Sequence, residues 1–329
     1  MGEAFAGKTV GKKAMLWGIL AQSIPDVDFI ASFWLKTSDN LLAHRGITHS
    51  LLFALLITPI IAGFAYSLHK PHNISLKKWI LFIGTVILIH LFLDAFNSYG
   101  VGWLEPFSHV RISFNTIYVA DPFFSIIPGV ALLMLLFIKQ KSTVRKWIWK
   151  TGLIIPFLYL LYSLSNKLYV TAETEKILAA QNINYNKLLI TPAPLQTWLW
   201  FIAAGNDSGF YTGYRSVFDN QKSLDLHFEP QNNNLIPLVK EHDQLNKLIR
   251  FSQGFYTIEQ RKDSMVFYDL RFGQIIGWQD PLEHYAFYYY LQPDVDNTLV
   301  VQRGRFAKWD RQSFNSLIDR IKGNSLQNR

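Results

Sequence analysis

Residues 44–68 read HRGITHSLLFALLITPIIAGFAYSL, a short loop with two histidines that runs directly into an apolar segment. The apolar part, Leu51–Leu68, is 18 residues long and contains no charged side chain. A helix that crosses a bilayer needs about 20 mainly apolar residues, so this segment and its flanks are long enough to span. The stretch therefore predicts a membrane helix with imidazole side chains at one end, and imidazole is a common metal ligand.

Further segments of the first half have the same character. They are Ala14–Leu35, Trp79–Leu93, Pro122–Ile138 and Thr151–Ser165. Ala14–Leu35 differs from the others because Asp26 and Asp28 follow Pro25 inside it, so we expect it to span as a helix broken at Pro25. These segments predict a polytopic α-helical membrane protein with about five spans.

The charge distribution supports a membrane protein. Charged residues make up 17% of the 329 residues, against about 25% in ordinary soluble domains. Residues 1–166 hold 14 Lys and Arg against 7 Asp and Glu, whereas residues 167–329 hold 18 against 17. The positive excess thus lies in the apolar half, as in membrane proteins with basic loops, and we expect no nucleic-acid partner. The chain has no cysteine, which excludes disulfides, thiolate metal sites and cysteine nucleophiles.

The basic residues of the loops predict the orientation of the spans. With five spans, the N-terminus and the loops 69–78 and 139–150 lie on one side and carry 3, 3 and 5 Lys and Arg. The two opposite loops carry only Lys36, Arg45 and Arg111. The bias of 11 to 3 places the N-terminus in the cytoplasm and the C-terminal half outside, because basic loops stay inside.

The second half resembles a soluble domain of mixed type. Its candidate strands are short and rich in aromatic and β-branched residues. They are Gln196–Ala203, Gly209–Phe218, Gly254–Glu259, Met265–Phe272, His284–Gln292 and Thr298–Gln302. Leu235–Phe251 and Arg311–Lys322 have helical spacing, and Lys167–Asn182 is expected to continue the fifth span as a helix. We therefore predict a transmembrane domain, residues 1–166, and an extracytoplasmic α+β domain, residues 167–329.

Six candidate metal ligands fall at the outer ends of the predicted spans. They are Asp26, Asp28, His44, His49, His90 and Asp94. His90 and Asp94 are four residues apart and share one helix face. Imidazole and carboxylate ligands suit zinc, manganese or iron, and we expect a divalent transition metal, zinc first among them. Six ligands are enough for two ions, and such a site activates a water molecule and stabilises a leaving oxygen.

Each of these residues also has a simpler interpretation. A single histidine in a span is often a packed, hydrogen-bonded side chain, and an aspartate after proline usually caps a turn. Taken together the six favour a site, because ionisable groups in a membrane are costly and tend to be functional. Arg45 is expected either to bind an anionic substrate group or to pair with Asp26 or Asp28.

The remaining histidines rank lower as ligands. His109 lies near Glu105 in the same predicted outer loop and is within reach of the site. His69 and His72 are expected to be solvated in a basic cytoplasmic loop. The histidines of the second half are expected to be structural or at the surface. They are His227, His242 and His284.

Several motifs resemble the membrane-bound, metal-dependent hydrolase-like family, the YdjM-like or LexA-regulated inner-membrane group. The most specific are Pro25-Asp26-Val27-Asp28, the string from His44 to Ser50 and the string from His90 to Asp94. Gly2-Glu3-Ala4, Asn97-Ser98-Tyr99-Gly100 and Glu105-Pro106-Phe107-Ser108 match as well. The resemblance covers residues 1–125 and, more loosely, residues 211–219. Relatives begin about a dozen residues earlier, so we expect the chain to be truncated at its N-terminus.

The resemblance implies a metal-dependent hydrolase of the bacterial inner membrane. In this interpretation the six residues hold the metal, Asp28 and Arg45 also act in catalysis, and the substrate is a lipid or lipid-linked phosphoester from the bilayer. The alternative is a non-enzymatic protein, either a metal-stabilised scaffold or a binder of a partner. A catalytic site keeps an open coordination position, whereas a structural site is closed. The sequence does not define the oligomeric state.

The predicted orientation has a direct test. A reporter that is active only in the cytoplasm should give no signal when fused after residue 329, while a reporter active only outside should give a strong signal. The physical reason is the 11-to-3 bias of basic loops. A cytoplasmic signal would reverse the orientation and move the candidate ligands to the other membrane face.

Overall fold

The structure is a computed structural model that describes residues 1–69, 74–262, 264–292 and 309–323. The chain forms two compact units. The first comprises Met1–Leu35, Leu42–Phe114 and Val119–Tyr162, and the second comprises Lys36–Leu41, Asn115–Tyr118 and Ser163–Arg329. The first unit contains the apolar helices and the second contains the β-sheets.

The first half of the chain is helical. In chain order the helices are α1 (Gly2–Val10), α2 (Lys13–Ser23), α3 (Thr37–Ala43), α4 (Leu51–Leu68), α5 (Leu76–Asp94), α6 (Pro122–Phe137) and α7 (Val144–Ala180). Among the described residues, α4, α5 and α7 are long and apolar enough to cross a membrane. Helix α6 is apolar but has 16 residues. The α-helical membrane character is confirmed, while the number of five spans stays a prediction.

The segment predicted as the first span is broken where expected. Helix α2 ends at Ser23, and a 3-10 helix, Pro25–Phe33, follows it. Proline lacks a backbone N–H and fits the first position of such a segment, where that donor has no helical partner. The break turns the chain just before Asp26 and Asp28, so these carboxylates project from a short 3-10 segment rather than from a long helix.

Helices α4 and α5 form the closest helical pair of the first unit. Ala54, Ala62 and Ala65 of α4 are buried, and small residues of this kind let helix backbones approach in a membrane. At Gly84 of α5 an added Cβ would lie 3.1 Å from the methyl carbon of Thr58. The pair is therefore fixed side by side, which places the chain entering α4 beside the last turn of α5.

His69 is buried, and the prediction that it is solvated is wrong. Only 8% of the residue is exposed, and its Nε2 accepts a hydrogen bond of 3.0 Å from Nε1 of Trp17. The ring also stacks on Trp79 with centroids 5.7 Å apart. The basic residues of the loop suggested a solvated side chain, but His69 immediately follows α4 and faces two tryptophans from other helices. His72 lies outside the described residues.

The second unit contains two antiparallel sheets. The first has the order β1-β2-β3-β4 and the second the order β5-β6-β7. The strands are β1 (Lys187–Pro192), β2 (Leu199–Gly205), β3 (Gly209–Ser216), β4 (Leu226–Pro230), β5 (Tyr256–Arg261), β6 (Ser264–Gln274) and β7 (Tyr285–Tyr290). Strands β1 and β4 were not predicted, and the predicted strand Thr298–Gln302 lies outside the described residues. The predicted β-sheet domain is thus confirmed, but its extracytoplasmic location stays a prediction.

Helices complete the second unit. Helix α7 runs on to Ala180, as expected, and α8 (His242–Phe251) and α9 (Arg311–Ile321) follow the first and second sheets. The helix predicted from Leu235 begins only at His242, because Asn233–Leu238 forms a 3-10 turn that contains Pro237. The core of this unit is aromatic. It includes Phe201, Phe210, Tyr214, Tyr268, Trp278 and Tyr285.

The role of His69 predicts a loss of stability on its removal. His69→Ala leaves the indole N–H of Trp17 buried without this acceptor, which should lower the free energy of unfolding by about 1–3 kcal/mol. The measurement is denaturant or thermal unfolding of the purified protein in detergent. His242→Ala is the control, because His242 is exposed, and it should change stability by no more than about 0.5 kcal/mol. Equal stability of the two variants would contradict the packing role of His69.

Candidate metal site

Four side chains from three segments meet at one point of the first unit. Asp26 comes from the 3-10 helix after α2, His49 from the turn before α4, and His90 and Asp94 from the end of α5. One ligand atom from each lies within 4.8 Å of the others. The helix break at Pro25 and the α4–α5 pairing are what bring them together.

The ligand atoms are spaced like those around a metal ion. Nε2 of His49 and Nε2 of His90 are 3.2 Å apart. Each of these nitrogens is 3.4–3.6 Å from Oδ1 of Asp26 and from Oδ2 of Asp94. In a tetrahedral zinc site, bonds of about 2.0–2.1 Å place neighbouring ligand atoms about 3.3–3.4 Å apart. These five distances are close to the spacing of ligand atoms around a first-row divalent ion, and the two carboxylate oxygens lie within 4.8 Å of each other.

The burial of the four residues supports the same interpretation. His49 and His90 are buried. Oδ2 of Asp94 faces both imidazoles and is also 3.1 Å from Nε of Arg45, so the guanidinium balances part of the charge of this carboxylate. The side chain of Asp26 is 48% exposed and that of Asp94 18%, so the cluster is most open on the Asp26 side.

The field around His49 is strongly negative. Nε2 of His49 lies 3.4 Å from Oδ1 of Asp26 and 3.4 Å from Oδ2 of Asp94, and its Nδ1 lies 3.2 Å from Oδ2 of Asp28. Three carboxylates thus converge on this one imidazole.

Asp28 lies behind His49 and outside the group of four. Its Oδ2 is 3.2 Å from Nδ1 of His49, the ring nitrogen that faces away from the cluster. The same oxygen accepts hydrogen bonds of 2.9 Å from the backbone N–H of Arg45 and from the hydroxyl of Thr48. Carboxylates placed in this way fix the tautomer and orientation of a ligating histidine. Asp28 is therefore positioned to hold Nε2 of His49 toward the cluster.

His44 is also outside the group of four. Its Nδ1 is 2.9 Å from Oδ1 of Asp28, and its side chain is 39% exposed. The rings of His44 and His49 have centroids 6.1 Å apart. His44 and Asp28 therefore form a pair at the margin of the site, next to the buried histidine.

The second buried histidine has its own support from α2. Nε2 of Gln22 lies 3.2 Å from Nδ1 of His90. When Nε2 of His90 binds a cation, Nδ1 carries the proton, and the amide of Gln22 then serves as acceptor in its flipped orientation, with the oxygen in place of the nitrogen. Sequence reasoning missed Gln22, although its position one helical turn before Asp26 was a usable signal.

Arg45 pairs with Asp94, not with the two aspartates that the sequence suggested. Its Nε lies 3.1 Å from Oδ2 of Asp94, and its Nη1 donates a 2.6 Å hydrogen bond to Oδ1 of Asn97. The guanidinium carbon is 5.2 Å from the centre of the Tyr99 ring. The residue is 8% exposed and has a φ of 59°. A left-handed backbone at a non-glycine residue is uncommon, and it often marks a functional constraint.

Backbone contacts fix the loop that carries these residues. Gly102 donates a hydrogen bond to the carbonyl of Arg45, and an added Cβ there would lie only 3.3 Å from that oxygen. Nη2 of Arg111 donates to the carbonyls of Leu42 and His44. Arg111 and Gly102 thus hold the loop from the segment that follows α5.

The structure separates the predicted site residues into groups. It brings Asp26, His49, His90 and Asp94 together and places Asp28, His44 and Arg45 around them. His109 contacts Glu105 instead, with Nδ1 2.9 Å from the carboxylate, and its side chain is 62% exposed. The other described histidines are not members of the group of four. Those of the sheet domain are His227, His242 and His284.

Comparisons with known proteins agree with the membrane character. The model of the family described as YdjM inner membrane protein matches residues 1–170, more than half of the chain. An uncharacterized protein of Bacillus subtilis, YfhP, is 25% identical over 78% of this chain and 77% of its own length. The inner membrane protein YbcI of Escherichia coli is 30% identical over 34% of this chain and 64% of its own length. No solved structure matches the chain significantly.

Substitution of a ligand residue and substitution of a residue that orients a ligand should have different effects on metal binding. His90→Ala and Asp94→Ala remove ligand atoms and should abolish stoichiometric binding of zinc, measured by elemental analysis after purification without chelator. Asp28→Asn keeps all four ligand atoms and should weaken affinity by about 10–100-fold, as is usual for outer partners of a ligating histidine. Competition with a chromogenic chelator measures that affinity.

His109→Ala is the control for these variants, because His109 lies outside the cluster. It should retain the metal content and affinity of the unsubstituted protein. A His90→Ala variant with its full metal complement, or unsubstituted protein that contains no transition metal, would contradict the assignment.

Proposed function

The chain belongs to the YdjM inner membrane protein family, and we propose that it is a membrane-bound, metal-dependent hydrolase. The observation that carries the proposal is the convergence of one ligand atom each from Asp26, His49, His90 and Asp94 within 4.8 Å. A divalent ion bound there lowers the pKa of a water molecule toward neutrality and so supplies a nucleophile for hydrolysis. Zinc fits the two-imidazole, two-carboxylate set best, and manganese and iron accept the same ligands.

The residues around the cluster have separable roles in this proposal. Asp28 orients His49, and Gln22 orients His90. Arg45 neutralises part of the charge of Asp94 and adds positive potential beside the site, which favours an anionic substrate. Its guanidinium is largely occupied by Asp94 and Asn97, so we assign it to this electrostatic role instead of direct binding.

His44 is the residue that we assign to proton transfer. Its side chain is 39% exposed and is oriented by Asp28 through a 2.9 Å contact at Nδ1. A histidine with one nitrogen held by a carboxylate and an exposed ring suits general acid–base catalysis near neutral pH. We thus place His44 at the rim of the site and not among the metal ligands.

The position of the cluster limits the class of substrate. The ligands lie at one end of α5 and at the start of α4, two helices that are long and apolar enough to cross a membrane. A substrate presented by the bilayer would reach this depth, so we propose a lipid or lipid-linked phosphoester. The charge bias places this end of the helices, and the sheet domain, outside the cytoplasm of the bacterial cell.

A structural metal site is the second candidate function. Four protein ligands complete a tetrahedral shell, as in closed structural zinc sites, whereas catalytic zinc sites usually have three protein ligands and an open position. Hydrolysis therefore requires a higher coordination number or displacement of Asp26, the one exposed member of the four. In the structural alternative the metal only stabilises a scaffold that binds a partner.

A comparison of His44→Gln with His90→Ala distinguishes the two functions. In proteoliposomes with a panel of phospholipid and lipid-linked phosphoesters, the metal-loaded protein should release product. His44→Gln should keep its metal and lose about 10²–10⁴-fold in kcat, while His90→Ala should lose both metal and activity. The structural site would be favoured if the metal-loaded protein hydrolysed no member of the panel and His44→Gln did not differ from it in metal content or product release.

A further inference from the structure

A mostly apolar cavity of about 320 Å³ lies among the helices of the first unit. Its lining comes from the start of α1, one face of α2, Val86 of α5 and the facing sides of α6 and α7. The residues of α2 that line it are Met15, Gly18, Ile19, Gln22 and Ser23. Their spacing of three and four residues makes them a single stripe along that helix.

The polar end of this cavity leads to the metal cluster. Gln22 and Ser23 are at the end of α2, and the amide of Gln22 contacts His90. Asp26 follows Gln22 by four residues. On α5, Val86 lies four residues before His90 and therefore on the same helix face. Helix α5 thus passes from a cavity-lining residue to a cluster residue within one turn, and α2 does so across the break at Pro25.

The size of the cavity suits a single extended chain. The stripe from Met15 to Ser23 is about 12 Å long at 1.5 Å per residue, and a mostly apolar cavity of about 320 Å³ beside it has room for a hydrocarbon chain. Its α6–α7 wall is closely packed, since an added Cβ at Gly152 would lie 2.6 Å from the Cβ of Ala131.

The surroundings indicate that the occupant comes from the membrane. The lining includes residues of α5 and α7, two helices long and apolar enough to span a bilayer. Ile19 is 43% exposed, so the cavity has an opening on the face of α2 where lipid would lie. At the end away from the cluster, Glu3 is neutralised by a two-fold hydrogen-bonded ion pair with Arg145.

We propose that this cavity binds one acyl chain of a membrane phospholipid and thereby presents the headgroup phosphoester at the Asp26 side of the metal cluster. This inference rests on the proposed function in one respect: the headgroup phosphoester is a substrate only if the metal cluster catalyses hydrolysis. The binding of the chain itself depends only on the cavity. Apolar burial supplies the affinity, because each methylene that leaves water or the headgroup region adds to it.

The test compares two neighbouring tryptophan substitutions on α2. Ile19→Trp fills the cavity, whereas Leu20→Trp alters an equally exposed residue, 42% against 43%, that does not line it. The full chain is purified from membranes in mild detergent, and native mass spectrometry counts and weighs the retained lipid. The unsubstituted protein and Leu20→Trp should retain one phospholipid.

In Ile19→Trp, retention should fall by about tenfold or more, because exclusion of two or more methylenes is enough for that loss. Leu132→Trp, which fills the cavity from α6, should behave like Ile19→Trp and guards against a local defect in α2. Thermal unfolding of each variant checks its fold. Equal retention by the three substituted proteins, unsubstituted protein without lipid, or a retained molecule without an acyl chain would overturn the inference.

Lipid retention is measured independently of hydrolysis. If the metal site proves structural, lipid retention and its loss in Ile19→Trp are still expected, and the proposed function fails alone. If retention does not depend on the cavity while His44→Gln still lowers hydrolysis, the chain-binding inference fails alone.

Discussion

Two carboxylates and two imidazoles converge within 4.8 Å at the end of α5, and the cost of placing them there shapes the rest of the first unit. Polar groups buried without partners are expensive in a protein interior and more so in a bilayer. The surrounding side chains compensate part of the charge. Asp28 faces His49, Gln22 faces His90, and Arg45 faces Asp94. Two carboxylates still face the two imidazoles at 3.4–3.6 Å, a donor set that suits a bound cation as the last member of the group.

The irregular parts of the chain make this convergence possible. In a continuous α-helix Asp26 and Asp28 would lie about 200° apart around the axis, on nearly opposite faces. Instead the 3-10 helix at Pro25 lets Asp26 face the cluster while Asp28 reaches Thr48 and the backbone of Arg45. The left-handed residue Arg45 and the close contact at Gly102 complete the loop before α4. Non-helical backbone at membrane depth is tolerated only where it is buried in protein or lines a cavity.

The apolar cavity and the cluster are adjacent along the chain. Helix α5 contributes Val86 to the cavity and His90 and Asp94 to the cluster, while α2 lines the cavity and contacts His90 through Gln22 just before the 3-10 helix that carries Asp26. Small residues have the same effect in two helix pairs. Between α4 and α5 they allow close packing beside His49 and His90, and Ala131 and Gly152 allow a close approach of α6 and α7 at the wall of the cavity.

The sequence by itself determined the membrane character, the break at Pro25, the sheet-rich second half and the residue types of the site. Those features follow from local properties: hydropathy, the missing N–H of proline, alternation in strands and the chemistry of His and Asp. The tertiary structure alone decided that Asp28 stands behind His49, that Arg45 pairs with Asp94 and that His69 is buried against Trp17. Strand β4 escaped prediction for a similar reason, since its partly exposed residues reach strand geometry by pairing with β3. Spacing along a chain defines which residues share a helix face, but the partners of a side chain depend on which helices and loops pack together.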